Sequence, residues 1–179
     1  MANSKSEPRS PRYDRRVWWA ALAVAVASVL LVAVVASRLP APSAGMAEHS
    51  AGGPSPIGPT CVHYPGAEIS ITVPAAGTVV VSATVGVGIG HVFGTNDTAR
   101  IAVAATSTDC VITNYTAFVS VPASLPSSTS YFETVPLLRP FRISSGGSYT
   151  MYVTGIMTEG WDLADRFDSA SLVAVYHPN

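Results

Sequence analysis

Lysine is missing from the second half of this chain. From Cys61 onward the cations are Arg100, Arg139, Arg142 and Arg166, set against Glu68, Asp97, Asp109, Glu133, Glu159, Asp162, Asp165 and Asp168. A mildly acidic surface without lysine cannot neutralise a run of phosphates, so nucleic acid is not an expected partner. Charge is scarce throughout, at 12% of residues, and cysteine occurs only at positions 61 and 110. No Trp lies between those cysteines, so the Cys–Trp–Cys spacing of antibody domains is missing. No helical period is sustained after Cys61, and no repeat at solenoid or propeller spacing is present. There is no phosphate-cradling Gly loop, no credible pair of catalytic carboxylates and no Ser-His-Asp set. The sequence therefore implies no cofactor and favours a non-enzymatic role.

What the chain does have is one long apolar run, Val17 to Ala36, VWWAALAVAVASVLLVAVVA. As a helix it would rise roughly 30 Å, the thickness of a bilayer's hydrocarbon core. Arg15 and Arg16 precede it directly, and Trp18 and Trp19 fall where an interfacial aromatic belt lies. Residues 1–16 carry Lys5, Arg9, Arg12, Arg15 and Arg16 against Glu7 and Asp14, whereas Arg38 stands alone after the run. This asymmetry predicts a disordered basic cytoplasmic tail (1–16), a transmembrane signal-anchor (17–36) and an extracytoplasmic remainder. The length of the run favours an anchor that is kept, and Val34-Val35-Ala36 also offers a cleavage site after Ala36. A type IV pilin would show a processing-site Gly and a Glu inside the helix, and neither is present. Cys61 lies too far beyond the run for a lipoprotein. Residues 37–60, rich in Pro, Gly, Ala and Ser, read as an extended linker. Met46 and His49 inside it are too few for a soft-metal site.

The remaining segment, 61–179, alternates like a β-protein. Ile69, Ile71 and Val73 share one face, and after the Pro74–Gly77 turn so do Val79, Val81, Ala83, Val85, Val87 and Ile89. Gly86 and Gly88 on the other face indicate a bend or a close neighbour. Arg100–Ala105, one or two segments within Val111–Val121, Tyr149–Met157 and Leu172–Tyr176 read as further strands. Thr158–Phe167 reads as an acidic loop. Tyr131–Ile143 is extended but contains Pro136 and Pro140, which places it at a sheet edge or a bulge. About eight short strands with regular turns predict an all-β, two-sheet antiparallel sandwich, jelly-roll-like, behind one N-terminal transmembrane helix. An exported domain with two cysteines predicts a Cys61–Cys110 disulfide.

The segment ISITVPAAGTVVVSATV, in which a strand passes through a Val-Pro-x-x-Gly turn into a long alternating strand, resembles the complement globular-head and tumour necrosis factor-like jelly rolls. Ser145-Gly146-Gly147-Ser148-Tyr149-Thr150 is similar to the turn that opens a late strand there, and Ser169–Tyr176 to the closing strand. The resemblance implies trimers built around apolar faces. Tyr131–Ile143 could supply such a face for a homotrimer. Alternatively, its prolines kink the strand so that both sets of side chains enter one core.

Three constellations could carry chemistry. Glu159, Asp162, Asp165 and Asp168 recur every third residue and could offer oxygens to calcium, although the spacing of a known calcium loop is lacking. His63, His91 and His177 could meet at one end of a sandwich to hold zinc or copper. His91, Cys110 and Arg139 could mimic a sortase, in which case the chain would be an extracytoplasmic hydrolase or cysteine transpeptidase; a disulfide at Cys110 would remove that nucleophile. Asn96-Asp97-Thr98 and Asn114-Tyr115-Thr116 are glycan acceptors only in a host that modifies exported chains. The expected function is a membrane-anchored extracytoplasmic binding or assembly module with an extracellular protein or glycan ligand.

Overall fold

A computed structural model describes residues 45–179, which hold eight strands and no helix. The expected tail at 1–16, the anchor at 17–36 and the start of the linker lie outside the described residues. The strands are β1 (Met46–Pro56), β2 (Val62–Val73), β3 (Gly77–His91), β4 (Asp97–Ala104), β5 (Ala117–Val121), β6 (Ser128–Ile143), β7 (Gly147–Glu159) and β8 (Arg166–Pro178). They form two four-stranded sheets in the orders β1-β8-β3-β6 and β2-β7-β4-β5, and every adjacent pair is antiparallel.

The core follows from period-two patterning. Val79, Val81, Ala83, Val85, Val87 and Ile89 all point inward from β3 and are buried. Ile69, Ile71 and Val73 on β2, Ile101 and Val103 on β4, and Met151 and Val153 on β7 meet them from the opposite sheet. The largest inward groups stack: Tyr64 lies flat on Phe167 with ring centroids 4.9 Å apart, both fully buried. Gly155 leaves room for this pair, since a Cβ there would sit 2.6 Å from the Phe167 ring.

The expected linker at 37–60 is corrected over its second half. Met46–Pro56 is a strand, paired with β8 from Met46↔Val175 to Pro56↔Arg166 around a bulge at Gly52–Ser55. Two side-chain bonds fasten it to β2: the Tyr64 hydroxyl donates to Gly53 O at 2.7 Å, and His49 Nε2 donates to Gly66 O at 2.6 Å. The expected strand region at Val111–Val121 shrinks to β5, because Thr113–Thr116 closes a turn through the Thr116 N–H to Thr113 O bond. As the prolines indicated, β6 is an edge strand. Its side chains do not all enter one core: Val135, Leu137 and Ile143 are buried, while Phe132 and Leu138 are exposed.

All four edges are blunted against pairing. Pro54 and Pro56 interrupt β1, Pro65 interrupts β2, Pro136 and Pro140 interrupt β6, and β5 has only five residues. Removing the Phe167 ring should cost about 3–5 kcal/mol, since nothing nearby can refill the space between the sheets. Denaturant unfolding of Phe167→Ala checks this; a loss below about 1 kcal/mol would mean that the stack is not central.

Candidate functional site

The two cysteines are joined, with Cα atoms 5.7 Å apart, and no cysteine is free among the described residues. The bridge ties the start of β2 to the loop after β4. No thiolate is left for a sortase-like attack. The other two nominated residues are also committed elsewhere: Arg139 Nη1 donates to Val103 O at 2.6 Å with its guanidinium over the Phe141 ring, and His91 is buried. Closure of a loop of this length predicts that Cys61→Ser/Cys110→Ser loses about 4 kcal/mol of stability. Mass analysis after alkylation without reductant should detect no modified cysteine, and labelling at both positions would contradict the bridge.

The four acidic candidates for calcium do not converge. Glu159 accepts from the Thr98 hydroxyl at 3.3 Å, Asp162 caps the Ala164 N–H, Asp168 pairs with Arg166 at 3.0 Å, and Asp165 points inward. Among the described residues no three His, Cys, Asp or Glu side chains are grouped for a metal. The histidines are equally scattered. His63 lies edge-on to Tyr152, and His177 pairs across from Thr78, thirteen residues back along β3 from His91. At strand rise that is roughly 40 Å.

One polar cluster was not legible in the sequence. Alternation along β3 ends at Gly88–His91, where all four residues are buried. The β7–β8 loop folds over the outer side of the strand here: a Cβ on Gly90 would lie 2.6 Å from Asp162 Oδ1. Asp165 is 1% exposed, and its carboxylate accepts the Gly90 N–H at 2.9 Å and the Asp162 N–H at 2.7 Å. Its carbonyl accepts the Ile57 N–H at 2.9 Å. Beside it the His91 Nδ1 bonds Asp97 Oδ2, and the His91 Nε2 donates to Leu125 O at 3.1 Å. Gly160, at φ +63°, closes over Asp97 so tightly that no side chain fits there. The loops β1–β2, β3–β4, β5–β6 and β7–β8 are thus fastened together at one end of the sandwich.

A His–Asp pair is half of a catalytic triad. Here the second ring nitrogen faces a carbonyl instead of a nucleophile, and the ring is 2% exposed. The arrangement is a clamp. The adjoining hollow, about 110 Å³, is bounded by Val92, Thr95, Asp97, Gly160, Trp161 and Asp162. That is well below the roughly 300 Å³ at which ordinary small-molecule sites begin.

Burial pushes the Asp165 carboxyl up to about 6, with the Asp162 and Asp97 carboxylates adding to the shift and the two N–H donors opposing it. The folded state therefore holds this proton more tightly than the unfolded chain does. The stability contributed by Asp165 is present in full below the ordinary carboxylate range and is lost as pH rises toward about 6. Thermal unfolding should show wild type gaining on Asp165→Asn as pH falls from about 6.5 to about 4. A difference that stays constant across that window would contradict the assignment.

No family model matches the chain, and no curated protein matches it in sequence. Among solved structures it is similar to a chain in the structure of infectious bursal disease virus Gx strain, at 13% identity and a TM-score of 0.33. That match covers 75% of this chain, which spans about a third (33%) of the viral chain. A likeness at that level carries no argument about activity or partners.

Proposed function

We propose that the chain is a membrane-anchored, extracytoplasmic jelly roll acting as a non-enzymatic assembly module. The strand orders 1-8-3-6 and 2-7-4-5 support the jelly-roll reading, since each sheet alternates strands from the two halves of the chain. The apolar run at 17–36, with arginines before it, supports the anchor.

One observation carries the assembly reading: the middle of the outer face of sheet β1-β8-β3-β6 is almost uncharged. Its central rungs read Pro140–Val80–Val175–Met46, Leu138–Ser82–Val173–Glu48 and Pro136–Thr84–Ser171–Ser50. Glu48 at the margin is the one charge among these twelve positions. At sheet spacings the three rungs cover roughly 400 Å², with seven apolar positions (Pro140, Val80, Val175, Met46, Leu138, Val173 and Pro136) among the twelve. Because the sheet edges are blunted by prolines or, at β5, by shortness, the face is a surface open to association. The resemblance to trimeric jelly rolls makes a closed homotrimer the expected form. The sortase-like alternative loses its nucleophile at Cys110.

Leu138 is 59% exposed, so Leu138→Asp leaves the subunit fold intact. Light scattering of the detergent-solubilised chain should give an assembly for wild type and a monomer for Leu138→Asp. A wild-type monomer at high micromolar concentration would overturn the proposal.

A further inference from the structure

Four large apolar side chains stand in water at the clamp end of the sandwich. Val92 and Phe93 lie on the β3–β4 loop, and Trp161 and Leu163 on the β7–β8 loop. Each is more than half exposed, Leu163 at 90%, and none belongs to the core. Val92 and Trp161 border the same hollow, so the two loops meet there.

The backbone that carries these side chains is stiff and already satisfied. In the β3–β4 loop the Phe93 N–H donates to Ser127 Oγ, the Gly94 N–H to Ala123 O and the Thr95 N–H to Val92 O. In the β7–β8 loop the Asp162 N–H donates to Asp165 Oδ2, the Ala164 N–H to Asp162 Oδ1 and the Asp165 N–H to Asp162 O. A loop can give up water only where its polar groups keep partners, and these donors have theirs within the chain. Charge is withdrawn as well. Residues 57–61, 92–96, 122–127 and 160–165, which form the loops at this end, contain no Lys, Arg or His. Their only carboxylates are Asp162, turned onto the Ala164 N–H, and Asp165, which is buried. Nothing here attracts an anionic surface, and an uncharged one matches it.

The area decides between a protein and a lipid surface. At their exposures the four side chains present roughly 500 Å². A stable protein–protein interface takes about 800 Å² from each partner. A fluid lipid boundary closes around whatever enters it, and binding there grows with the apolar area buried.

We propose that Val92, Phe93, Trp161 and Leu163 form an insertion tip for an uncharged, zwitterionic lipid surface. The side chains enter the boundary between headgroups and acyl chains while the loop backbone stays at headgroup level. Trp161, with an apolar body and one N–H, is suited to that boundary. The His91–Asp97 and Asp165 contacts hold both loops in place before contact, so little ordering is lost on binding. This role requires neither the anchor nor the uncharged sheet face.

Both cysteines are in the bridge, so the full chain accepts one environment-sensitive dye at Leu163→Cys, with Ser70→Cys on the outer face of the opposite sheet as control. Phosphatidylcholine bearing an acyl-chain quencher is supplied either in the vesicles that hold the chain or in a second vesicle population. Quenching at Leu163→Cys in one or the other, unchanged by salt and missing at Ser70→Cys, is the expected result. Phe93→Asp, at a position outside the core, should lower the ratio of inserted to free tips about tenfold, the effect of losing one buried apolar side chain. Equal quenching at the two labelled positions, or quenching at neither, overturns the proposal. Quenching that appears only with phosphatidylglycerol and fades in salt assigns binding to the arginines instead and also overturns it. A dye response of the same size in detergent without vesicles makes the occupant a second copy of the chain, with the same consequence.

Discussion

β3 is bonded to β6 on one side and to β8 on the other over most of its fifteen residues. A strand so placed must keep one face dry, and the run from Val79 to Ile89 satisfies that with a β-branched residue or Ala at every second position. Its other face is free to vary, and it varies along the strand. Near the Gly77 end it carries Thr78 and Val80, in the middle Ser82 and Thr84, then Gly86 and Gly88 against Ser169 of β8 and Ser130 of β6, and Gly90 under the β7–β8 loop. A Cβ at any of the three glycines would come within 2.7 Å of a side-chain oxygen. One strand therefore supplies the core, the uncharged sheet face and the floor of the loop clamp.

Where the sequence was legible, the signal was local. The alternation of β3, the edge character of β6 with Pro136 and Pro140, and the pairing of Cys61 with Cys110 needed only a stretch of chain or a count of two. β1 was hidden because the residues it turns against the core are Ala47 and Ala51, His49 between them is exposed, and Gly52-Gly53-Pro54 follows at the bulge. Small residues against a finished sheet bury little area, so composition made the segment read as a linker. Its strand character comes from partners on β8 and from the Tyr64 and His49 bonds, all distant in sequence.

The clamp was hidden for a related reason. His91 meets Asp97, Leu125 and, through its strand neighbour Gly90, Asp165; these come from the start of β4 and from two different loops. The regular spacing of Glu159, Asp162, Asp165 and Asp168 suggested a common role for four carboxylates. The backbone separates them instead: one faces a threonine, one caps its own loop, one is the buried latch, and one holds an arginine. Backbone donors, absent from any residue pattern, decide which carboxylate turns inward.

Display outside the membrane and association through one sheet face together form the central claim, and one cross-linking measurement addresses both. Ser82 lies at the middle of the uncharged face, and Ser70 lies on the outer face of the opposite sheet. With Ser82→Cys, a membrane-impermeant bis-maleimide added to intact cells should link chains into species larger than the monomer. Ser70→Cys should stay monomeric under the same treatment. Equal linking at the two positions, no linking at Ser82→Cys, or linking only after lysis would contradict the account.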